Sequence, residues 1–385
     1  MSLFLATSLL FGLVLVELVF VRYAMDERIP WLEIINNLNS GHILFWVLRG
    51  FELLAFQWVL THWSLDWMAS WPVAVQWVFT IFAWDFCFYV LHWTHHKVPF
   101  LWSLHSVHHE GEHYSLSLGI RNAWLSSLTA LPFFILLAVL GVPLGIYLVV
   151  SSTHYFIQFW NHNRVLKDKK SWLDHVLVTP AVHHLHHAKN PEYMDKNCGG
   201  TFAIWDKIFG TYQQELPNVP IELGVHDHLK AENPFWVNAI PILKWLKMPA
   251  VIGFFERNSP HRFNDFFVAM GGFLLFGLLL FYVKMEPEWA GWKLALLFAL
   301  VFLSTLANGG MAEGKTWGMW VWVLLTIGGS GLVVFLLEVN EPWQLMLFFS
   351  FAMHGIVTLA GNLNQRRSGS KPRRRLTHII AHNAW

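Results

Sequence analysis

The chain has 385 residues, of which 55% are hydrophobic and only 13% charged, with a formal net charge of +1. Soluble domains carry about 25% charged residues, so a chain made only of soluble domains is excluded, and the near-neutral balance leaves no basic face for nucleic acid. Two cysteines, Cys87 and Cys198, exclude a disulfide framework and any CxxC zinc or redox motif.

The mean hydropathy is +0.41, and 23 Trp and 32 Phe supply the rings that gather at headgroup level. Apolar runs of about 18 residues or more can cross a bilayer as helices. The first covers 3–21; it lacks the basic start and small-residue cleavage site of a signal peptide and reads as a retained span. A second covers 43–61, and a third starts near Trp71 and runs into a histidine-rich segment. The stretch 125–160, broken at Gly141 and Pro143, predicts a helical hairpin, and four more runs follow near 266–284, 290–308, 317–337 and 343–361. The expected fold is all-α and integral to the membrane, with transmembrane helices and a helical, histidine-rich di-metal cap on the cytoplasmic side. Its parts are N-terminal spans over 1–91, a catalytic region over 92–262 that includes the hairpin, C-terminal spans over 263–361 and a basic tail over 362–385.

The tail carries Arg366, Arg367, Lys371, Arg373, Arg374 and Arg375, which the positive-inside rule assigns to the cytoplasm. Counting back four spans brings Arg164, Lys167, Lys169 and Lys170 to the same face. The hairpin returns the chain to its starting side, so 92–122 lies there too and the N-terminus lies outside.

Histidine is the anomalous residue: 14 of the 22 fall between His92 and His187. They form three clusters, His92-x-x-His95-His96, His105-x-x-His108-His109 and His183-His184-x-His186-His187. Residues three and four apart share a helix face, so His92 pairs with His96, His105 with His108 and His109, and His183 with His186 and His187. Imidazole is a ligand for iron, zinc, copper and nickel, and eight such rings are too many for one ion and suit two. A fourth register, His154, Gln158 and His162, is spaced by four and offers one or two more. Spacing leaves His95 open, whereas His184 is rotated by roughly 100° from its neighbours and is left out. Asp85, seven residues before His92, is a candidate to orient a ligating histidine from behind, against the plainer role of satisfying a neighbouring helix.

A structural zinc site saturated by histidines would have no open position and no redox chemistry. Two redox-active ions would instead activate dioxygen, and ligands at the ends of membrane helices can receive a lipid from the bilayer. Sequence alone therefore predicts a membrane oxidoreductase that uses dioxygen on a lipid.

The strings Asp85-Phe-Cys-Phe-Tyr-Val-Leu-His92, Leu101-Trp-Ser-Leu-His105-Ser-Val-His108-His109 and Thr179-Pro-Ala-Val-His183-His-Leu-His186-His187 resemble the fatty acid hydroxylase / sterol desaturase superfamily. So do Asp195-Lys-Asn197-Cys-Gly-Gly200 and Trp205-Asp-Lys-Ile-Phe-Gly-Thr211. Within it, Tyr114-Ser-Leu-Ser117, Gln158-Phe-Trp-Asn-His162 and Asn190-Pro191 are similar to the alkylglycerol monooxygenase branch, with specific likeness over about 45–235.

The resemblance implies two irons, with zinc an alternative occupant as purified. The ligands would be His92, His96, His105, His108, His109, His183, His186 and His187, with His162 as a ninth and His154 as a weaker candidate. It also implies dioxygen, a lipid substrate and an external reductant, either an electron-donor protein or a soluble one such as tetrahydropterin. Asp195 and Asn197 match the motif after the last cluster and are expected to act behind the ligands or in a turn. Two departures stand out: Lys97 occupies the place of a Glu in the alkylglycerol monooxygenase branch, and Cys198 that of the usual Tyr. Hydroxylation of a lipid C–H bond, with ether cleavage as one form of it, is the expected reaction. Sterol or fatty-acyl desaturation or hydroxylation is the alternative, and a non-catalytic zinc protein is a third reading.

Overall fold

The structure, a computed structural model, describes residues 3–40, 42–226, 231–248, 251 and 263–367. Their regular structure is helical; β pairing among the described residues is limited to two isolated bridges, Leu177 with Phe202 and Ala188 with Leu223.

Helix α1 (Leu3–Tyr23) is followed by a short α2 (Trp31–Asn39), then α3 (His42–Trp63) and α4 (Val73–Lys97). Helix α5 (Pro99–His109) restarts after one residue, and α6 (Ser126–Val139) and α7 (Leu144–Asn161) form the hairpin. Short helices α8 (Pro180–His186), α9 (Ile204–Phe209) and α10 (Pro234–Trp245) belong to the polar cap. Helices α11 (Asp265–Met285), α12 (Gly291–Ala312), α13 (Thr316–Leu336) and α14 (Pro342–Arg367) close the described chain. A π-helical turn over Leu324–Gly329 lies inside α13.

Six helices, α1, α4 and α11 to α14, have the length and apolarity to cross a membrane. Their outward rings and aliphatics are bare, as at Val16, Phe335 and Phe349, which is what a lipid-facing surface requires. The third predicted span is α4, which runs through the first histidine cluster to Lys97, so the line drawn at 91/92 falls inside one helix. The predicted second span is α3, whose 22 residues measure about 33 Å at 1.5 Å per residue. In the hairpin, the 14 residues of α6 reach only about 21 Å, short of a hydrocarbon core of about 30 Å. The turn depends on Gly141, at φ +85°, where a Cβ would also press on Ser64 and Asp66. Beyond Arg367 the basic tail lies outside the described residues.

Two apolar cores result. One joins α3, α4, α6 and α7 through Phe56, Trp84, Phe134 and Tyr147. The other joins α1 and α2 to the late helices through Leu18, Ile35, Phe276 and Trp322. A cavity of about 1000 Å³ lies where the two meet, lined by α1, α3, α4, α6, α7 and α11 and reaching His92, His105, His108, His162 and His183.

Candidate metal centre

The histidines are positioned by the ends of four helices. Pro72 caps the start of α4, and Val98 adopts an extended conformation before Pro99, which occupies the first turn of α5. A residue before proline is driven out of the α region, so Pro99 breaks the chain between the first two clusters and folds α5 back onto the end of α4. Thr179 caps α8 by accepting from the Val182 amide at 3.4 Å, with Pro180 next. His162 stands at the C-terminal cap of α7.

These ends bring nine imidazoles into two groups. His92, His96, His105, His109 and His186 form one; His108, His162, His183 and His187 form the other, and ligand nitrogens within each group lie within 4.8 Å of one another. The rings also touch between groups, His109 stacking on His187 at 4.4 Å. All nine positions singled out in the sequence as the main candidates are here.

The hydrogen bonds fix where the lone pairs point. Nδ1 of His92 donates to the Cys198 carbonyl at 2.9 Å, and those of His108, His162 and His186 donate to the carbonyls of Arg121, Gln158 and Lys196 at 2.8 Å each. A carbonyl can only accept, so in a neutral ring each Nε2 carries a lone pair and no proton. Nε2 of His162 nevertheless lies 3.1 Å from Nε2 of His108. Two lone pairs at that distance with no proton between them repel, unless a cation lies among them. The edges in these groups, 3.0 to 3.2 Å, match neighbouring ligands around an ion at about 2.1 Å. Nε2 of His96 is buried with no partner at all. The residues therefore fit two cations. Burial lowers the pKa of His105, His109, His162, His183, His186 and His187 well below the usual imidazole value, and that of His108 to about 4. The rings are neutral, the form that binds metal.

Other candidates fall behind or beside the groups. His96 Nδ1 faces Asp195 at 3.3 Å, and Lys97 bonds the other Asp195 oxygen at 2.6 Å. The bond from His96, with Lys97 beside it, holds the Asp195 carboxyl down at about 2. Lys97 thus anchors the carboxylate that orients His96. Asn197, at φ +55°, spans to Gln213 through both amide atoms and sets the course of the loop rather than touching a ring of the two groups.

His154 lies outside both groups; its Nε2 pairs with Asp85 at 2.7 Å and its ring packs on Trp84 and Phe88. Asp85 accepts from the Thr201 and Phe202 amides and the Trp205 indole, so it holds the loop after α8 and none of the nine rings. His95 is buried outside the groups, and His184 packs against Tyr114.

The sequence reading missed Asp206 and Arg121. Asp206 accepts from the amides of Cys198 and Gly199 at 2.8 Å and from the Thr211 hydroxyl, fixing the carbonyl that His92 uses. Arg121 bonds the Val107 carbonyl, Asn37 and Glu110, fixing the carbonyl that His108 uses. Buried charges are almost always paired, but nothing in the linear order says with what.

Residues 77–211 match the family model described as fatty acid hydroxylase. Among curated proteins, a human alkylglycerol monooxygenase is 30% identical over 265 residues, 66% of this chain and 57% of the relative. An ornithine lipid hydroxylase of Rhizobium tropici is 28% identical, over 43% of this chain and 50% of that protein. A human cholesterol 25-hydroxylase is 31% identical, over 35% and 50%. The chain thus spans about half the length of these relatives. No solved structure matches. All nine clustered histidines fall within the segment, residues 77–211, that is similar to the fatty acid hydroxylase family.

Proposed function

We propose that the protein is a membrane-embedded, di-iron lipid hydroxylase, with His92, His96, His105, His109 and His186 holding one iron and His108, His162, His183 and His187 the other. The observation that carries this is the convergence of nine imidazoles, several with lone pairs facing one another, at the head of a cavity of about 1000 Å³. When bound, a redox-active metal pair supplies the two-electron activation of dioxygen that an unactivated C–H bond demands. The chain supplies ligands, orientation and a dry approach. Asp195 and the Cys198, Arg121, Gln158 and Lys196 carbonyls lock the ring tautomers. The cavity wall, with Phe88, Leu91, Leu148 and Phe159, takes an aliphatic chain.

An ether lipid is the first substrate to test, because the alkylglycerol monooxygenase match covers the largest share of the chain among the three relatives described. Hydroxylation next to an ether oxygen yields an aldehyde. A sterol or fatty-acyl substrate is the second reading, favoured by the cholesterol 25-hydroxylase match. The reductant is a separate protein or a soluble donor, tetrahydropterin included.

Protein from iron-57-grown cells should contain about two irons per chain in a coupled pair by Mössbauer spectroscopy. Given reductant and labelled dioxygen, its membranes should release labelled aldehyde from an alkylglycerol or a labelled hydroxyl on a sterol or acyl chain. Two tightly held zincs that iron supplementation never displaces, with unchanged lipids, would sink the hydroxylase reading.

A further inference from the structure

Two ionisable residues, Arg49 and Glu52, are buried beside the α3–α7 core. They lie one turn apart on α3 and are bonded to each other. Tyr147 donates to Glu52 at 3.2 Å. Arg49 reaches the Tyr155 hydroxyl at 3.4 Å, with its guanidinium 4.9 Å from that ring's centre. Charge at this depth is expensive and is retained chiefly where it serves a substrate or an ion.

Arg49 and Tyr155 line the large cavity, whereas Glu52 and Tyr147 stand behind them. Only one guanidinium nitrogen is occupied by a partner among the described residues, although the group has five N–H donors. A purely structural ion pair has no reason to present donors to a lipid-sized space. Ser151, Ser152 and Gln158 continue the polar strip along α7 towards His162. Tyr155 lies seven residues before His162, about 10 Å along the helix.

We propose that Arg49 and Tyr155 form the docking site for an uncharged oxygen of the lipid, a hydroxyl above all, held about two helical turns from the histidine groups. Glu52 neutralises Arg49, so the site offers hydrogen bonds without net positive charge and favours a hydroxyl over a phosphate. The distance from that oxygen then decides which carbon faces the histidines. This proposal rests on the lipid-hydroxylase reading for its meaning, but its test needs no turnover.

The full iron-loaded chain in detergent would be titrated with radiolabelled 1-O-hexadecylglycerol, with hexadecane and hexadecyl phosphate as competitors. Wild-type protein should prefer hexadecylglycerol over hexadecane on the order of tenfold, the worth of a hydrogen bond to a charged group. The double variant Arg49→Leu/Glu52→Leu removes the pair without orphaning a charge, and should bind both alike with unchanged iron content. Tyr155→Phe, which deletes a single hydroxyl, should narrow the preference and keeps the test valid if the double variant does not fold. A preference that persists in the variants, its absence in wild type, or tighter binding of hexadecyl phosphate each overturns the proposal. Intact preference with no oxidised lipid under any reductant fails the hydroxylase reading alone. Oxidised lipid with a preference independent of Arg49 fails the docking site alone.

Discussion

A ring's place at this centre is set by which way its Nε2 points; helical spacing singled out eight such positions, and the family resemblance added His162. His184 is adjacent to His183 in sequence, yet its ring turns to Tyr114 because successive helical residues are rotated by about 100°. His108 sits three residues after His105 and joins the other group. The division of neighbours between two groups was not legible, because it depends on where α7 and α8 arrive.

His108→Ala should therefore lose metal from the His162, His183 and His187 group, by more than the 10–100-fold typical of changes behind the ligands. His184→Ala should keep about two metals per chain. Elemental analysis of both purified variants checks this, and full occupancy with activity in His108→Ala would remove it from the ligand set. The carbonyls that fix the tautomers were invisible in the sequence, since every residue but proline offers the same donor and acceptor.

At the scale of elements, the sequence showed helices and breaks well, because Pro72, Pro99, Pro143 and Pro180 stand at helix starts. The loop from Asp195 to Phe202 was readable only as a motif. Its course is set by Asp85 from the membrane helix and Asp206 from α9, two carboxylates distant from each other in sequence. Asp206→Ala would leave the buried Cys198 and Gly199 amides unpaired, at about 1–3 kcal/mol each. The variant should melt earlier and hold the His92 group's metal less tightly, measured by thermal unfolding and chelator competition. An unchanged melting point would mean the loop is held by other contacts.

Gly200 carries a sharper constraint: a Cβ there would lie 2.2 Å from His154 Nε2 and 2.8 Å from the Phe88 ring. Gly200→Ala should cost about 1–3 kcal/mol by overpacking, and less in a His154→Ala background. Equal losses in both backgrounds would show that His154 is not the obstacle.

For the whole molecule, the pairing of helix ends shows which described segments share a face. Helix α2 joins the cap to the start of α11, with Asn37 bonded to Ser117 and Asn39 to the Gly272 carbonyl. His354 of α14 bonds the Phe267 carbonyl near that same end, while Trp343 packs on Phe281 at the far one. The C-terminal end of α14, which carries Arg366 and Arg367, thus emerges on the side of the histidine cap. So do Lys167, Lys169 and Lys170.

The positive-inside rule predicts that the face carrying Lys167, Lys169 and Lys170 is the cytoplasmic one, and labelling tests that expectation. Lys170 on the cap and Glu288 between α11 and α12 are exposed on opposite faces. In intact cells, a membrane-impermeant maleimide should label Glu288→Cys at once and Lys170→Cys only after permeabilisation. The reverse pattern would turn the molecule over and require an electron donor outside the cytoplasm.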